Sequence, residues 1–164
     1  ILNPKANEKR FDVIPAPLGT PVIGVCSSTA GLLSKVPNCP HEIWIKLDLD
    51  EGDWKTYEKF SLRVSWPGSS PAKFHINILN SEATASRFAG KAITPQRRTR
   101  VKFARIRVVD IGVVSPMSGL TQTLSIPFIV TLDPLYFGVI PASLIPFLWV
   151  LLPVLLVSVL IVPF

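Results

Sequence analysis

Charge of either sign is missing from the last 22 residues of this chain. The segment SLIPFLWVLLPVLLVSVLIVPF, residues 143–164, holds no Asp, Glu, Lys or Arg and only two hydroxyls, Ser143 and Ser158. That absence excludes a soluble amphipathic helix, which needs a polar stripe opposite its apolar face. About 20 apolar residues of helix cross the hydrocarbon core of a bilayer, so the segment is expected to be a single transmembrane helix. Pro146 falls in its first turn, where a missing N–H costs nothing, whereas Pro153 sits mid-span and frees a carbonyl that lipid cannot satisfy. Either a neighbouring helix or a local adjustment must then serve that carbonyl. Pro146, Trp149, Pro153 and Ser158 are the expected packing positions.

Histidine and cysteine are scarce, with two of each. The chain also lacks a phosphate-cradling glycine loop and any GxSxG, HExxH or GxxxxGK[ST] pattern, so no catalytic residue, cofactor or metal site is expected. His41 follows a proline in a loop, and His75 lies on the polar face of a strand. The acidic turn Asp48, Asp50, Glu51, Asp53 offers oxygen ligands, yet it lacks the alternation and the distal Glu of an EF-hand and reads as a solvated hairpin. Asn-x-Ser/Thr acceptors are absent as well, which leaves glycosylation silent about sidedness.

Cys26 and Cys39 flank a Ser-, Gly- and Pro-containing stretch that closes easily into a disulfide in an oxidising compartment. Two free buried thiols, or a metal site with His41 and His75, are the alternatives.

What is present is concentrated at the N-terminal side. All 17 Lys and Arg and ten of the eleven acids fall in residues 1–110, and residues 111–164 hold only Asp133. The net charge of +6 therefore belongs to a head and not to the apolar tail. Arg107, the last basic residue, precedes the span by more than thirty residues, so the N-terminal flank lacks the Lys and Arg of a cytosolic flank. A type I arrangement follows, with the head in the ER lumen or outside the cell. The chain starts at Ile1, which suits a removed leader peptide, and its apolar end at Phe164 suits a basic cytosolic tail beyond it.

The head alternates apolar and polar residues with period two, the mark of half-buried strands. Ile43, Ile45, Leu47 and Leu49 share one face; Phe60, Leu62, Val64 and Trp66 repeat the pattern, and Phe74, Ile76 and Ile78 are expected to face inward. In TRVKFARIRVVDIGVV the apolar parity slips by one residue, which predicts a β-bulge near Phe103. Leu124, Ile126, Phe128, Val130 and Leu132 line a last strand that Pro127 restricts to an edge or a bulge and that Pro134 is expected to break. Sixteen prolines and regularly spaced turns favour an all-β head, an antiparallel β-sandwich of Ig-like or jelly-roll-like kind, followed by the single C-terminal transmembrane α-helix. The expected division is a lumenal or extracellular β-sandwich domain over 1–133, a membrane-proximal connector over 134–142 whose Tyr136 and Phe137 suit the headgroup layer, and the span over 143–164.

A basic run, Arg87, Lys91, Arg97, Arg98, Arg100, Lys102, Arg105 and Arg107, is expected to be either a solvated strand face or a surface that docks anionic lipid or a larger membrane subunit. Only Phe88 and Phe103 lie nearby to stack on bases, so no nucleic-acid partner is expected. In layout the chain resembles the small β-sandwich subunits of ER machines for protein insertion, glycosylation or GPI-anchor assembly. That resemblance implies a non-catalytic accessory subunit whose partners are polytopic membrane subunits and the lipid bilayer. A tail-anchored, cytosol-facing protein that binds anionic lipid through its basic strand, and a small lumenal enzyme, are the rival expectations.

Overall fold

A computed structural model of the chain describes residues 1–26, 39–81, 99–113 and 124–161. Among these residues seven strands form two antiparallel sheets, and one apolar helix closes the described chain. One sheet has the order β1 (Glu8–Val13), β6 (Ile126–Tyr136), β3 (Phe60–Ser65), with the short β7 (Ile140–Pro141) on the end of β6. The other has the order β2 (Glu42–Leu47), β5 (Lys102–Asp110), β4 (Ala72–Asn80).

Both sheets feed one hydrophobic core. Ile45 and Leu47 of β2 and Ala104, Ile106 and Val108 of β5 meet Ile126, Phe128, Val130 and Leu132 of β6, all of them buried. Phe128 joins the layers: its ring lies 5.7 Å from Phe11 in its own sheet and 5.2 Å from Phe74 in the other. The period-two faces read from residues 43–49 and 126–132 are the faces that supply this core.

Several expectations need correction. No bulge interrupts β5 at Phe103; its register is unbroken against both β2 and β4. The parity slip arises because β5 is the central strand and is covered on both faces from Ala104 to Val109. The acidic turn is not a hairpin, since β2 ends in one sheet and β3 begins in the other. A 3₁₀ turn over Gly52–Thr56 makes that crossing and buries Trp54, which packs edge-on to Phe60 at 5.3 Å. Ile76 and Ile78 stand exposed on β4, an outer strand of its sheet, although their cross-strand neighbours Ile106 and Ala104 are fully buried. Leu124 lies outside β6 and is exposed.

Prolines in β6 follow a rule of their own. The strand does not stop at Pro134 but runs on to Tyr136, and it occupies the centre of its sheet rather than an edge. Pro127 pairs with Asp12 of β1 beyond the end of β3, and Pro134 pairs with Phe60 of β3 beyond the end of β1. Each proline thus sits where only one paired strand flanks β6, so no two-sided ladder is lost. Strand β1 carries no clear apolar alternation; it is an outer strand whose Glu8, Lys9 and Arg10 face solvent and whose pairing with β6 defines it.

Candidate functional site: the joint between head and helix

The helix α1 (Ile145–Ile161) runs through Pro153, with Pro146 in its first turn. None of the residues from Ala142 to Val159 is buried, and the stretch is long and apolar enough to cross a membrane. Ten large apolar side chains between Leu144 and Val159 are exposed, Trp149 among them. Left in water they would forfeit on the order of 15 kcal/mol, more than the whole stability of many domains. The described part of the head leaves them uncovered. The one polar side chain of α1, Ser158, donates its hydroxyl to the Val154 carbonyl at 2.8 Å, which leaves it satisfied inside the helix.

Where head meets helix, a single buried carboxylate organises the contact. Asp133, the lone acid of residues 111–164, is 2% exposed near the end of β6. It accepts hydrogen bonds from the Arg63 guanidinium of the adjacent β3 and from the Ser143 hydroxyl at 3.2 Å. Arg63 also reaches the Ser143 oxygen at 3.4 Å. Ser143 lies in the 3₁₀ turn Ala142–Leu144 that leads into α1, so strand, strand and helix entrance are tied through one carboxylate. Burying a charge costs several kcal/mol unless it is paired, and here the pairing and the anchoring of the helix are the same contacts.

Beside this clamp lies a cleft of about 340 Å³ lined by residues 56–59 and 135–138. The antiparallel pairing of β3 with β6, Phe60 opposite Pro134, brings these two stretches to one end of the sheet. The rings of Tyr57 and Tyr136 meet edge-on at 5.1 Å. A side-chain hydrogen bond with Tyr136, then desolvation and the repulsion of nearby charge, raise the Tyr57 phenol above its ordinary value, which keeps the Tyr57 hydroxyl neutral across the physiological range. The β6–β7 turn holds two consecutive residues in the left-handed region, Phe137 at φ 52° and Gly138 at φ 72°, closed by the Val139 N–H donating to the Tyr136 carbonyl at 3.1 Å. A Cβ at position 138 would stand 3.1 Å from Lys59 Cδ, so the lysine side chain passes close beneath the turn.

Among the described residues, three of the basic side chains expected to dock a partner, Arg100, Arg105 and Arg107, are engaged within the chain. Arg105 is 5% exposed; its Nε donates to Glu42 at 2.7 Å, and its guanidinium lies 5.4 Å over the Trp44 ring. The Trp44 indole donates to the same Glu42 carboxylate at 2.9 Å, which gives that acid two partners from the outer face of the sheet. Arg107, 6% exposed, donates to the Val22 carbonyl at 2.7 Å. Arg100 donates to the Lys55 carbonyl at 2.9 Å and to the Tyr57 carbonyl, and so pins the inter-sheet crossing. Its own N–H donates to Asp50, and Lys46 pairs with Asp48 at 3.1 Å, so two acids of that turn serve local structure. Lys102 is half-buried at the start of β5, and Arg97 and Arg98 lie outside the described residues.

Cys26 and Cys39 are joined in a disulfide with their Cα atoms 5.9 Å apart. The bond staples the segment that ends in Val22 and Val25 close to Ala16 and Val109, a second small core on the outer face of β5. His41 Nδ1 lies 2.9 Å from the Ile14 carbonyl, and His75 is exposed opposite Arg107.

No family model matches the chain, and neither the curated proteins nor the solved structures compared with it yield a match. The functional reading therefore rests on the geometry above. Sequence reasoning missed Arg63 and the clamp because the partners are 70 positions apart. The isolation of Asp133 within 54 otherwise uncharged residues was the available signal.

Proposed function

We propose that the chain is a non-catalytic, single-pass accessory subunit of an ER membrane complex. On this reading a lumenal β-sandwich head, Ig-like or jelly-roll-like, is held by its C-terminal helix and stabilises or positions a polytopic partner. Machines for GPI-anchor assembly, glycosylation or membrane-protein insertion are the class of assembly it suits. The observation that carries the proposal is the contrast between a head whose core is closed and a helix that its own chain leaves uncovered.

Further support comes from the clamp at Asp133, since a rigid joint transmits the position of a docked helix to the head. The Cys26–Cys39 bond favours an oxidising compartment. Against the cytosol-facing lipid binder stand that disulfide and the internal engagement of Arg100, Arg105 and Arg107.

The test is purification of the tagged full chain in mild detergent, followed by identification of what travels with it. A polytopic membrane protein in stoichiometric yield is the expected result. A stable, monodisperse monomer with no companion would overturn the accessory role.

A further inference from the structure

We infer that the cleft at the joint seats the headgroup of a zwitterionic phospholipid, with Phe137 and Val139 turned toward the acyl chains. The inference rests on the reading of α1 as the membrane anchor, and the experiment below separates the two.

Position is the first argument. Val139 precedes Ala142, where the apolar span begins, by three residues, so their Cα atoms lie within about 10 Å of each other. The headgroup layer on each side of a bilayer is roughly 5–7 Å deep, which places the turn at or beside it. The opposite end of the same sheet, where Ser65 pairs with Ile129 and the chain continues to Gly68, faces away from the helix entrance.

Exposure is the second. Phe137 is 95% exposed and Val139 76%, at a turn where Asn or Gly would be the unstrained choice for position 137. A bulky aromatic held in left-handed backbone with nothing of its own chain against it is poorly explained by head stability. Contact with the hydrocarbon boundary, continuous with the apolar helix that starts eight residues after Phe137, explains it.

Chemistry selects the lipid class. The cleft is lined by one base, Lys59, one acid, Glu58, and the two tyrosines, Tyr57 and Tyr136. Lys59 Nζ lies 3.4 Å from where a Cβ on Gly138 would stand, so the ammonium crosses the base of the turn and suits a phosphate. Glu58 and the tyrosine rings suit the cationic amine of the same headgroup through charge and cation–π attraction. A wall with one charge of each sign fits a zwitterion better than an anionic headgroup.

The test uses the full chain in phosphatidylcholine nanodiscs containing a phosphatidylcholine brominated near the carbonyl end of its acyl chains. The native cysteines being paired, a polarity-sensitive fluorophore is placed by Phe137→Cys and, as control, by Gly68→Cys. Native Trp149 emission, identified by its loss in Trp149→Phe, reports the helix. Quenching of Trp149 and of the label at 137, none at 68, and weaker quenching at 137 in Lys59→Gln is the expected pattern. A label at 137 that stays unquenched while Trp149 is quenched would overturn the headgroup site and leave the anchor standing. If neither is quenched, the anchor reading fails and the site with it. Quenching at 137 that requires phosphatidylglycerol would overturn the zwitterionic assignment.

Discussion

Strand β6 and helix α1 are both rich in apolar residues and stand a few positions apart in the chain, yet one is the centre of the core and the other has no cover. The difference lies in pattern rather than in hydrophobicity. In β6 the apolar residues occupy alternate positions, so one face meets Ile45, Ile106 and Phe74 while Ile129 on the other stays open. In α1 they occupy every direction around the axis, and no single contact with a sheet could bury more than a fraction of them. Only a medium or a partner that surrounds the helix covers all of it. Asp133 marks the changeover, because its buried charge is tolerated only while both the sheet and the helix entrance supply partners.

The sharpest way to separate the two regions is to make the same kind of truncation in each. Phe128→Ala should lower the stability of the head by about 4 kcal/mol, since it removes a ring that touches both sheets. Leu155→Ala should leave head unfolding unchanged, as its side chain meets nothing in the head. Denaturant melts of the full chain in detergent, followed by near-UV circular dichroism, check both. Equal losses would erase the distinction.

Removing the Cys26–Cys39 bond comes next. The Cys26→Ser, Cys39→Ser double variant should lose about 3 kcal/mol of head stability, the value expected for a loop of this length. The helix should insert as before, because the loss is confined to the head. The same melts under reducing conditions should bring the native chain down to the variant.

The joint offers the smallest and most local effects. Asp133→Asn should cost about 2 kcal/mol, below the usual range for a broken buried pair because Arg63 is half-exposed and regains water. Ser143→Ala should cost about 1 kcal/mol. Both variants should broaden the distance distribution between spin labels on head and helix. Unchanged distributions would mean that Asp133 does not couple the two regions.

How far the sequence revealed this depended on whether a feature was local. The apolar run 143–164 announced a helix through its continuity, and the helix Ile145–Ile161 lies within it; β2 and β6 announced their core faces through strict alternation. Strand β1 was invisible because pairing with β6 makes it a strand and its own residues are mostly polar. The arginines of β5 read as a surface, either solvated or docking a partner, because Glu42 and Trp44, which cover Arg105, come from a strand some 60 positions earlier. Pairing across that distance turned an expected surface into interior. The Arg63–Asp133 clamp was hidden for the same reason, and Pro134 misled because a proline looks like a stop unless the one-sided pairing at that position is known.

The central claim, that α1 is covered by a bilayer and not by the head, is tested most directly by alkaline carbonate extraction of membranes carrying the full chain. The native protein should stay in the membrane pellet, and Leu152→Arg with Leu155→Arg should release it, since each arginine at mid-span costs roughly 3 kcal/mol of insertion. Native protein recovered in the supernatant as a folded, soluble species would contradict the account.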